Sequence, residues 1–430
     1  MNTLELLQNL IRIDTTNPPG NEKQAIYFIR DQLGAAGITS TLLARTPERP
    51  NLVARLPGEG NSPALLLYGH LDVVTTANQD WQVPPFEGRI QDGYLWGRGA
   101  LDMKGPVAMM LAAFLKAKEN GLRLPGEVIF TALADEEAGS AFGAKFLVQE
   151  HSDLFQGVRY AFGEFGGFNL SLLGKRFYPI MISEKQGCWL ALSFHGAGGH
   201  GSMPVQGEAM AQLGQALERL DRRKLPVHIT PPVRLMINSL AKALPGATSL
   251  ALRQLANPAL AGTALRLTGE RAALFDPLLR NTACPTMLEA SDKINVIPNR
   301  VRLGIDGRMV PGAKPEEFIA ELHNLLGMDF DTEILETDPG PAEADMGLFD
   351  MLHGVLRQFD PQGIPIPYVL SGITDARFFS RLGIQTYGFT PLRLPEDFNF
   401  ISTVHTANER VPVEALDFGV QAIYQALQQF

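Results

Sequence analysis

The sequence predicts an α/β protein whose sheet is covered by helices. Short apolar runs typical of buried strands alternate with longer segments of helical periodicity, which is the pattern of a sheet flanked by helices. The chain has 430 residues, of which 45% are hydrophobic and 19% are charged without long runs of one sign. At roughly 150 residues per domain, this length corresponds to two or three folded domains rather than to a disordered chain.

Helices and strands alternate in the first part of the chain. Gly37 stops the second expected helix, and Pro106 lies in the first turn of the third, where proline is compatible with a helix. Helices are expected at 4–11, 22–36, 105–118 and 138–149, and strands at 51–56, 64–68, 128–134 and 159–162.

The pattern changes at about residue 186. Strands are expected at 189–194, 294–297 and 301–305, a helix at 207–220, and several helical pieces within 225–289. After Pro311 and Gly312 the first pattern returns, with helices at 314–325, 347–358 and 412–428 and strands at 330–336 and 384–389. We therefore predict one α/β domain in two segments, 1–185 and 312–430, interrupted by a smaller domain at 186–311.

Charge and composition exclude several classes of protein. The 46 acidic and 37 basic residues give a net charge of −9, which disfavours binding to nucleic acid because that needs a basic surface. Two cysteines are too few for a disulfide framework or a cysteine-based zinc site. The first residues do not form a signal peptide, and the apolar stretches are shorter than the roughly 20 residues that span a bilayer. The expected location is the cytoplasm, with no membrane contact.

Three expected strands end at residues that bind metal ions. The strand at 64–68 leads to His70, the strand at 128–134 leads to Glu136 and Glu137, and the strand at 159–162 leads to Glu164. In open α/β sheets, ligands bind at the carboxyl ends of the strands, so these side chains should share one crevice. Asp102, in a glycine-rich loop before a helix, joins the same group.

Acids that converge in this way repel one another unless their pKa values rise or cations hold them together. Imidazole and carboxylates together are a suitable ligand set for zinc. The alternative is that each acid only caps a helix or lies at the surface.

Several spaced motifs in this sequence resemble the signature of the M20 metallopeptidases, which include carboxypeptidases, dipeptidases, aminoacylases and amino-acid deacylases such as acetylornithine deacetylase. The resemblance implies a zinc-peptidase-like catalytic domain, with a mixed central sheet flanked by helices, interrupted by a smaller α+β lid and dimerisation domain. Residues 281–286 favour the carboxypeptidase S and N-acyl-amino-acid hydrolase branch. The motifs lie at 69–74, 84–86, 93–99, 102–105, 135–137, 295–298 and 374–377.

The resemblance also implies a ligand set for two Zn²⁺ ions, with Mn²⁺ or Co²⁺ as alternatives. Asp102 would bridge the two ions. His70 and Glu164 would complete one site, and Glu137 and His405 the other. Many members of the family have aspartate where this chain has Glu164, and the longer side chain can still bind a metal.

Three further residues receive a catalytic role from the resemblance. Glu136 would be the general base that accepts a proton from water, and Asp72 would orient the imidazole of His70. His200, in the smaller domain, would stabilise the oxyanion, often in the active site of the partner subunit; the alternative is a structural histidine in a turn.

Four residues are candidates for substrate binding by the same resemblance: Asn295, Arg308, Gly372 and Thr374. A guanidinium can bind a carboxylate through two parallel hydrogen bonds, which suits an amino-acid-like product. The alternatives are a surface salt bridge for Arg308 and a turn for Asn295.

Other enzyme classes are less consistent with the sequence. Gly196, Gly198 and Gly201 match G-x-G-x-x-G, but Met203 and Pro204 follow where a dinucleotide-binding loop would open a helix. The motifs G-x-S-x-G and H-E-x-x-H do not occur. We expect a di-zinc hydrolase of small peptides or N-acyl amino acids, as a homodimer through the smaller domain. The alternative is a catalytically silent relative that binds amino-acid-like ligands. The sequence leaves the acyl group and side-chain preference open.

Overall fold

The computed structural model describes residues 2–268 and 275–430. In chain order, its helices are α1 (Thr3–Arg12), α2 (Lys23–Ala35), α3 (Lys104–Glu119), α4 (Ala144–Glu150), α5 (Ala209–Arg222), α6 (Pro231–Ala243), α7 (Gly246–Leu255), α8 (Pro258–Thr268), α9 (Pro315–Leu326), α10 (Phe349–Phe359), α11 (Ala376–Ser380), α12 (Phe400–Thr403) and α13 (Val413–Leu427).

The strands are named in the same way. They are β1 (Ser40–Ala44), β2 (Pro50–Leu56), β3 (Ala64–His70), β4 (Arg89–Gln91), β5 (Tyr94–Trp96), β6 (Val128–Leu133), β7 (Val158–Gly163), β8 (Leu170–Leu172), β9 (Lys175–Glu184), β10 (Gln186–His195), β11 (Gly199–His200), β12 (Thr282–Glu289), β13 (Val296–Ile297), β14 (Arg300–Met309), β15 (Asp331–Thr337), β16 (Ile364–Leu370), β17 (Gln385–Gly388) and β18 (Arg410–Pro412).

The chain divides into two compact units. The first contains the residues up to Ile182 together with Asp345–Tyr368 and Thr374–Phe430, and the second contains Ser183–Ala344 and Val369–Ile373. The second unit begins close to residue 186, where the sequence suggests a boundary. It continues well beyond 311, because β15 pairs with β10 and thereby joins the sheet of the second unit.

A mixed sheet forms the centre of the first unit. In the described residues it has nine strands in the order β1-β2-β6-β3-β7-β17-β9-β16, with β8 paired to β9. Strands β6, β3, β7 and β17 are parallel neighbours, whereas β1, β2 and β9 pair in the antiparallel sense. The α/β class with a mixed central sheet flanked by helices is therefore confirmed.

The parallel strands place their carboxyl ends side by side. His70, the last residue of β3, is opposite Leu133 of β6, and Leu67 of β3 is opposite Phe162 of β7. The segments that follow β6 and β7 carry Glu136 and Glu164. This register brings the three predicted strand ends to one edge of the sheet.

Helix α3 is the central helix of the first unit. It packs against β3, α1 and α13, and its apolar residues from Val107 to Phe114 are almost all buried. A helix that is apolar on all sides is stable only where other elements cover it. Its first residue, Lys104, is fully buried and donates from Nζ to the carbonyl of Ile13 at 2.7 Å.

Helix α4 is shorter than the sequence suggests. The expected helix at 138–149 begins only at Ala144, because Glu136–Ala138 form a turn of 3₁₀-helix and the next two residues interrupt it. Gly139 and Ser140 both have positive φ angles, of 98° and 63°, which no helix contains. The acidic motif therefore lies on a tight loop rather than on a helix.

A small three-stranded sheet lies beside the glycine-rich loop. Its order is β18-β5-β4, and Arg410 of β18 is opposite Trp96 of β5. The loop that carries Asp102 follows β5, and the segment that carries His405 precedes β18. The segments that carry Asp102 and His405 are about 300 residues apart in sequence, and each adjoins one of two neighbouring strands.

The second unit contains an antiparallel sheet in the order β12-β14-β10-β15 among the described residues. Alternate residues of β14 are buried, and they form a core with β10 and with helices α5 and α9. The strand β12 lies where helical pieces are expected, because residues 282–289 pair with β14 instead of forming a helix. Pro285, which has no amide hydrogen, lies next to a register shift in this edge strand.

One buried lysine stands out in the second unit. Lys185 is 1% exposed, and its Nζ donates to the carbonyl of Arg280 at 2.8 Å and to the hydroxyl of Thr282 at 3.1 Å. Burial, followed by the positive charge of Arg308, lowers the pKa of Lys185 to about 7. In both units, none of the helices among the described residues is long and apolar enough to span a membrane.

Candidate metal centre and active site

His70 lies at the centre of the candidate site. It ends β3, and its Nε2 is 3.2 Å from Oδ1 of Asp102 and 3.7 Å from Oε2 of Glu164. Its Nδ1 is 3.0 Å from the carbonyl oxygen of Asp72. The backbone of the strand end therefore fixes the ring so that Nε2 faces the two carboxylates.

Asp102 connects two histidines. While Oδ1 faces His70, Oδ2 lies 3.0 Å from Nε2 of His405, which is itself 3.2 Å from Oε1 of Glu137. One carboxylate thus presents its two oxygens to two imidazoles that come from opposite ends of the sequence. Each imidazole has one further carboxylate beside it.

The donor set fits divalent cations. Ligand atoms of His70, Glu136 and Glu164 lie within 4.8 Å of one another, as do those of His70, Asp102 and Glu137. Oε1 of Glu137 is buried and faces Nε2 of His405 at 3.2 Å. Buried carboxylates without full hydrogen bonding are costly unless a cation is bound, and mixed nitrogen and oxygen ligands suit zinc.

The electrostatics of the site reflect crowded carboxylates. Burial and the charge of Glu164 raise the pKa of Glu136 well above its usual value. Burial also raises the pKa of Glu164 to about 7. Burial acts in the same direction on Asp102, but its hydrogen bonds with His405 and His70 outweigh burial and lower the pKa of Asp102.

The pKa of His405 shifts in the opposite direction to that of Asp102. Its hydrogen bonds with Asp102 and Glu137 raise its pKa to about 10. The proton on the imidazolium of His405 lies between the ring and the two carboxylates. A metal cation bound by these carboxylates and a neutral imidazole would lie in the same place. A divalent ion would therefore replace this proton, since metal ligands bind in the deprotonated form.

Asp72 contacts the loop after β6 as well as His70. Its Oδ1 is 3.5 Å from Nδ1 of His70, whereas its two oxygens accept hydrogen bonds from the backbone amides of Glu136 and Glu137, each at 3.1 Å. Oδ2 also accepts from Asn17 at 2.8 Å. Asp72 therefore anchors the loop that follows β6 to the end of β3.

A buried ion-pair network supports the same loop, and no pattern in the sequence reveals it. Arg49 NH1 is 2.8 Å from Oδ1 of Asp135, and its NH2 is 2.6 Å from Oε1 of Glu22. Asp135 has a φ of 69°, a backbone conformation that is rarely adopted without support from the surroundings. Paired, buried charges of this kind hold a strained backbone in one position.

The loop ends at a second buried contact. The hydroxyl of Ser140 lies 2.5 Å from Oδ1 of Asp375, and the amide of Ser140 donates to the carbonyl of Asp135 at 2.6 Å. Oδ2 of Asp375 is buried and has no hydrogen bond among the described residues. Burial raises the pKa of Asp375 to about 6. Thr374, a predicted substrate residue, is buried beside it and accepts from the amide of Ala376 at 3.1 Å.

The other predicted substrate residues belong to the second unit. His200 is exposed on β11, and the amide of Ser202 donates to its Nδ1 at 3.2 Å. A neutral ring of His200 therefore carries its proton on Nε2. Arg308 binds Asp306 through two contacts, of 2.7 and 3.1 Å, as in the salt-bridge alternative. Asn295 and Gly372 lie in exposed or partly exposed loops.

Comparisons with known proteins identify the family. Residues 66–429 match the model of the peptidase family M20/M25/M40. The chain is 31% identical over 388 residues to the N-fatty-acyl-amino acid synthase/hydrolase PM20D1 of Homo sapiens, which covers 86% of this chain and 75% of the relative. It is 28% identical over 364 residues to the probable carboxypeptidase S-like 2 of Dictyostelium discoideum, which covers 81% and 68%.

Solved structures share the fold. The M20 family metallo-carboxypeptidase Sso-CP2 from Sulfolobus solfataricus superimposes with a TM-score of 0.70 at 16% identity, covering 100% of this chain and 99% of that one. The Bacillus subtilis YXEP protein, described as a dinuclear metal binding peptidase, gives a TM-score of 0.59 at 13% identity, with 99% and 96% covered. At these identities the similarity shows the fold, and the family resemblance predicted from the motifs is confirmed.

Proposed function

Since the chain belongs to the peptidase family M20/M25/M40 and is therefore a metal-dependent amidohydrolase or peptidase, we propose that it is a di-zinc hydrolase of N-acyl amino acids or small peptides. The observation that carries this proposal is the placement of Asp102 between two imidazoles. Each oxygen of this carboxylate has its own histidine and its own second carboxylate. This arrangement supports two neighbouring cations rather than one.

The first proposed cation site contains His70, Asp102 and Glu164, and the second contains Asp102, Glu137 and His405. When bound, two zinc ions polarise the amide carbonyl and make a water molecule acidic enough to react near neutral pH. Three protein ligands per ion leave positions for water and substrate, as catalytic sites need.

Glu136 is the proton carrier in this proposal. Its carboxylate lies in the ligand cluster, and its backbone is held by Asp72. Burial raises the pKa of Glu136, and cations beside it would lower the pKa again. A buried carboxylate beside the reacting water can accept a proton from it and then give that proton to the leaving amine.

His200 supplies the oxyanion contact in this proposal. The support for this role is the hydrogen bond from Ser202 to Nδ1, which leaves Nε2–H as a donor for a developing negative charge. Arg308 would exchange Asp306 for the carboxylate of the substrate, and Asn295, Gly372 and Thr374 are the other proposed substrate-binding residues.

We propose N-acyl amino acids as the preferred class of substrate. The human relative is named as a hydrolase of N-fatty-acyl amino acids. In this chain, Phe165 directly follows Glu164, and its ring lies 6.2 Å from that of Phe400 in an edge-on arrangement. Phe168 stacks on Phe400 at 3.8 Å. Phe165 is adjacent in sequence to the proposed metal ligand Glu164, and an aromatic cluster at this place would favour an apolar acyl group.

Two further features of the proposal concern assembly and location. The strand β12 is an edge of its sheet and exposes Met287 and Leu288, which supports a homodimer through the second unit because edge strands pair readily. Sedimentation of the Met287→Lys variant tests this interface. The cytoplasmic location remains a prediction from the sequence, and cell fractionation tests it.

Metal analysis and a substrate screen test the proposed activity. Purified protein should contain about two divalent ions per chain, and exhaustive chelation should abolish hydrolysis until zinc is restored. Long-chain N-acyl amino acids should react faster than N-acetyl or N-succinyl amino acids and dipeptides. Bound metal without hydrolysis of any of these would instead support the catalytically silent relative.

A further inference from the structure

A buried carboxylate that belongs to no predicted site touches the loop of Asp102. Oε1 of Glu409 accepts hydrogen bonds from the backbone amides of Leu101 at 2.8 Å and Asp102 at 3.2 Å. Its Oε2 lies 2.6 Å from NH1 of Arg98, and both side chains of this ion pair are at most 1% exposed. Glu409 therefore fixes the backbone at the residue that would bridge the two cations.

The same network reaches His405 from the other side. NH2 of Arg98 donates to Oε1 of Gln79 at 2.7 Å, and Nε2 of Gln79 donates to the carbonyl of His405 at 3.0 Å. Trp81 donates from its indole nitrogen to the same oxygen of Gln79 at 3.2 Å and lies under the guanidinium of Arg98. A continuous path of hydrogen bonds thus joins the backbone of Asp102 to the backbone of His405.

The two histidines differ in how much other support they have. His70 is the last residue of a central strand and is 1% exposed, so strand pairing and packing hold it. The side chain of His405 is 48% exposed, and its φ of 63° is a conformation that needs support from the surroundings. The position of His405 therefore depends on the contacts that its backbone makes.

We propose that Gln79, Arg98 and Glu409 are positioning residues that hold His405 against Asp102 and thereby determine the occupancy of the second cation site. The first site is largely independent of Gln79, which contacts the backbone of His405 and not that of Asp102. This inference rests on the proposed function, since it assumes two cations. It assigns different supports to the two sites: strand ends for the first, and for the second a polar network that is buried at Arg98 and Glu409 and half-buried at Gln79.

A purely structural role would have a different outcome. If the network only stabilised the fold, its loss would lower the free energy of unfolding and weaken both cation sites alike. If the network positions His405 through Gln79, loss of Gln79 weakens one binding step and not the other. Partners that orient metal ligands typically contribute about 10- to 100-fold in affinity.

Zinc titration of the metal-free Gln79→Ala variant, monitored by calorimetry, tests the proposal. We expect one of the two binding steps to weaken about tenfold or more, with the other within about twofold of the wild-type value. Gln8→Ala is the matched control, because Nε2 of Gln8 also donates to a backbone carbonyl, that of Gly88, at 2.8 Å. Both steps should be unchanged in Gln8→Ala.

Two further variants show which of the two cation sites corresponds to the weakened binding step. His405→Ala should bind one zinc, and adding Gln79→Ala to it should leave the affinity for that zinc unchanged, since the weakened site is already lost. Glu409→Gln should weaken both steps, because Glu409 also holds the backbone of Asp102, a ligand of both proposed sites. If Glu409→Gln does not fold, Gln79→Ala decides the question by itself.

Equal weakening of both steps in Gln79→Ala, or no change in either, would overturn the positioning role while leaving a di-zinc enzyme intact. A further loss of affinity on adding Gln79→Ala to His405→Ala would also contradict it. A wild-type chain that binds no zinc would overturn the proposed function, and this inference with it.

Discussion

The polar residues of the two units differ in their burial and in their hydrogen-bond partners. In the first unit, the candidate ligands are mostly buried, and their loops are fixed by buried carboxylates such as Asp72 and Glu409. In the second unit, His200 is exposed, and the buried Lys185 donates to uncharged oxygens. Buried partners therefore preorganise the candidate ligands of the first unit, whereas His200 of the second unit stays exposed to solvent.

The variant with the largest expected effect tests Glu136, the proposed proton carrier of the first unit. Glu136→Ala should lower kcat by about 10³-fold, because general acid–base groups typically contribute 10²–10⁴-fold. The metal content should stay at the wild-type value, since none of the proposed metal ligands is changed. Steady-state kinetics and metal analysis measure both quantities, with the exposed Glu119→Ala as the control. Normal turnover would place the base elsewhere.

The exposed histidine of the second unit comes next. His200→Ala should lower kcat by about 10²-fold, which is the typical contribution of one oxyanion donor, without a change in zinc content or in the free energy of unfolding. His195→Ala is a matched control in the same unit, because His195 is exposed and paired with Asp331 at 2.8 Å. Equal rates for both variants would leave His200 with a structural role only.

The buried lysine of the second unit predicts a dependence of stability on pH. The pKa of Lys185 is lowered to about 7 in the folded chain, so the unfolded chain binds more protons between about pH 7 and 10.5, the usual pKa of lysine. Folding is therefore penalised most below pH 7, and the penalty falls as pH rises. Relative to Lys185→Met, the wild-type free energy of unfolding should increase by about 2 kcal/mol from pH 7 to pH 9.

Urea unfolding at the two pH values measures this change. The exposed Lys242→Met variant is the control, and it should show the same pH dependence as the wild type. A constant difference between wild type and Lys185→Met at both pH values would show that Lys185 does not titrate in this range.

The smallest expected effect concerns the loop that carries Glu136. Ser140→Ala removes the contact with Asp375 and should lower kcat about tenfold with little change in KM, because a misplaced base slows the reaction more than it weakens binding. Asp375→Asn keeps an acceptor for Ser140 and should retain more activity. Ser62→Ala, which removes a hydroxyl contact with the carbonyl of Phe430, is the control. An unchanged kcat in Ser140→Ala would show that the loop is rigid without this contact.

Much of the first unit could be predicted from the sequence because local signals and strand order agree. Continuous apolar runs mark β3, β6 and β7 as buried strands, and parallel neighbours must place their carboxyl ends together. His70, Glu136 and Glu164 follow from that rule alone. His405 and Asp102 needed the spaced motifs, because no local pattern connects residues so far apart.

The second unit was harder to predict. Residues 282–289 form an edge strand whose exposed side chains show no clear alternation, so its pairing with β14 depends on tertiary contacts. The same holds for the extent of the unit, since β15 belongs to it only through pairing with β10.

The sequence by itself determined the class of fold, the family and the residue types that gather at the strand ends. These depend on hydrophobic periodicity and on motifs that are each only a few residues long. Only the tertiary structure decided which groups support them. Glu409 accepts from the amide of Asp102, Arg49 pairs with Asp135, and Ser140 contacts Asp375. Each of these contacts joins residues from separate segments of the chain, and a buried polar group acquires a partner only when packing brings that partner within hydrogen-bonding distance.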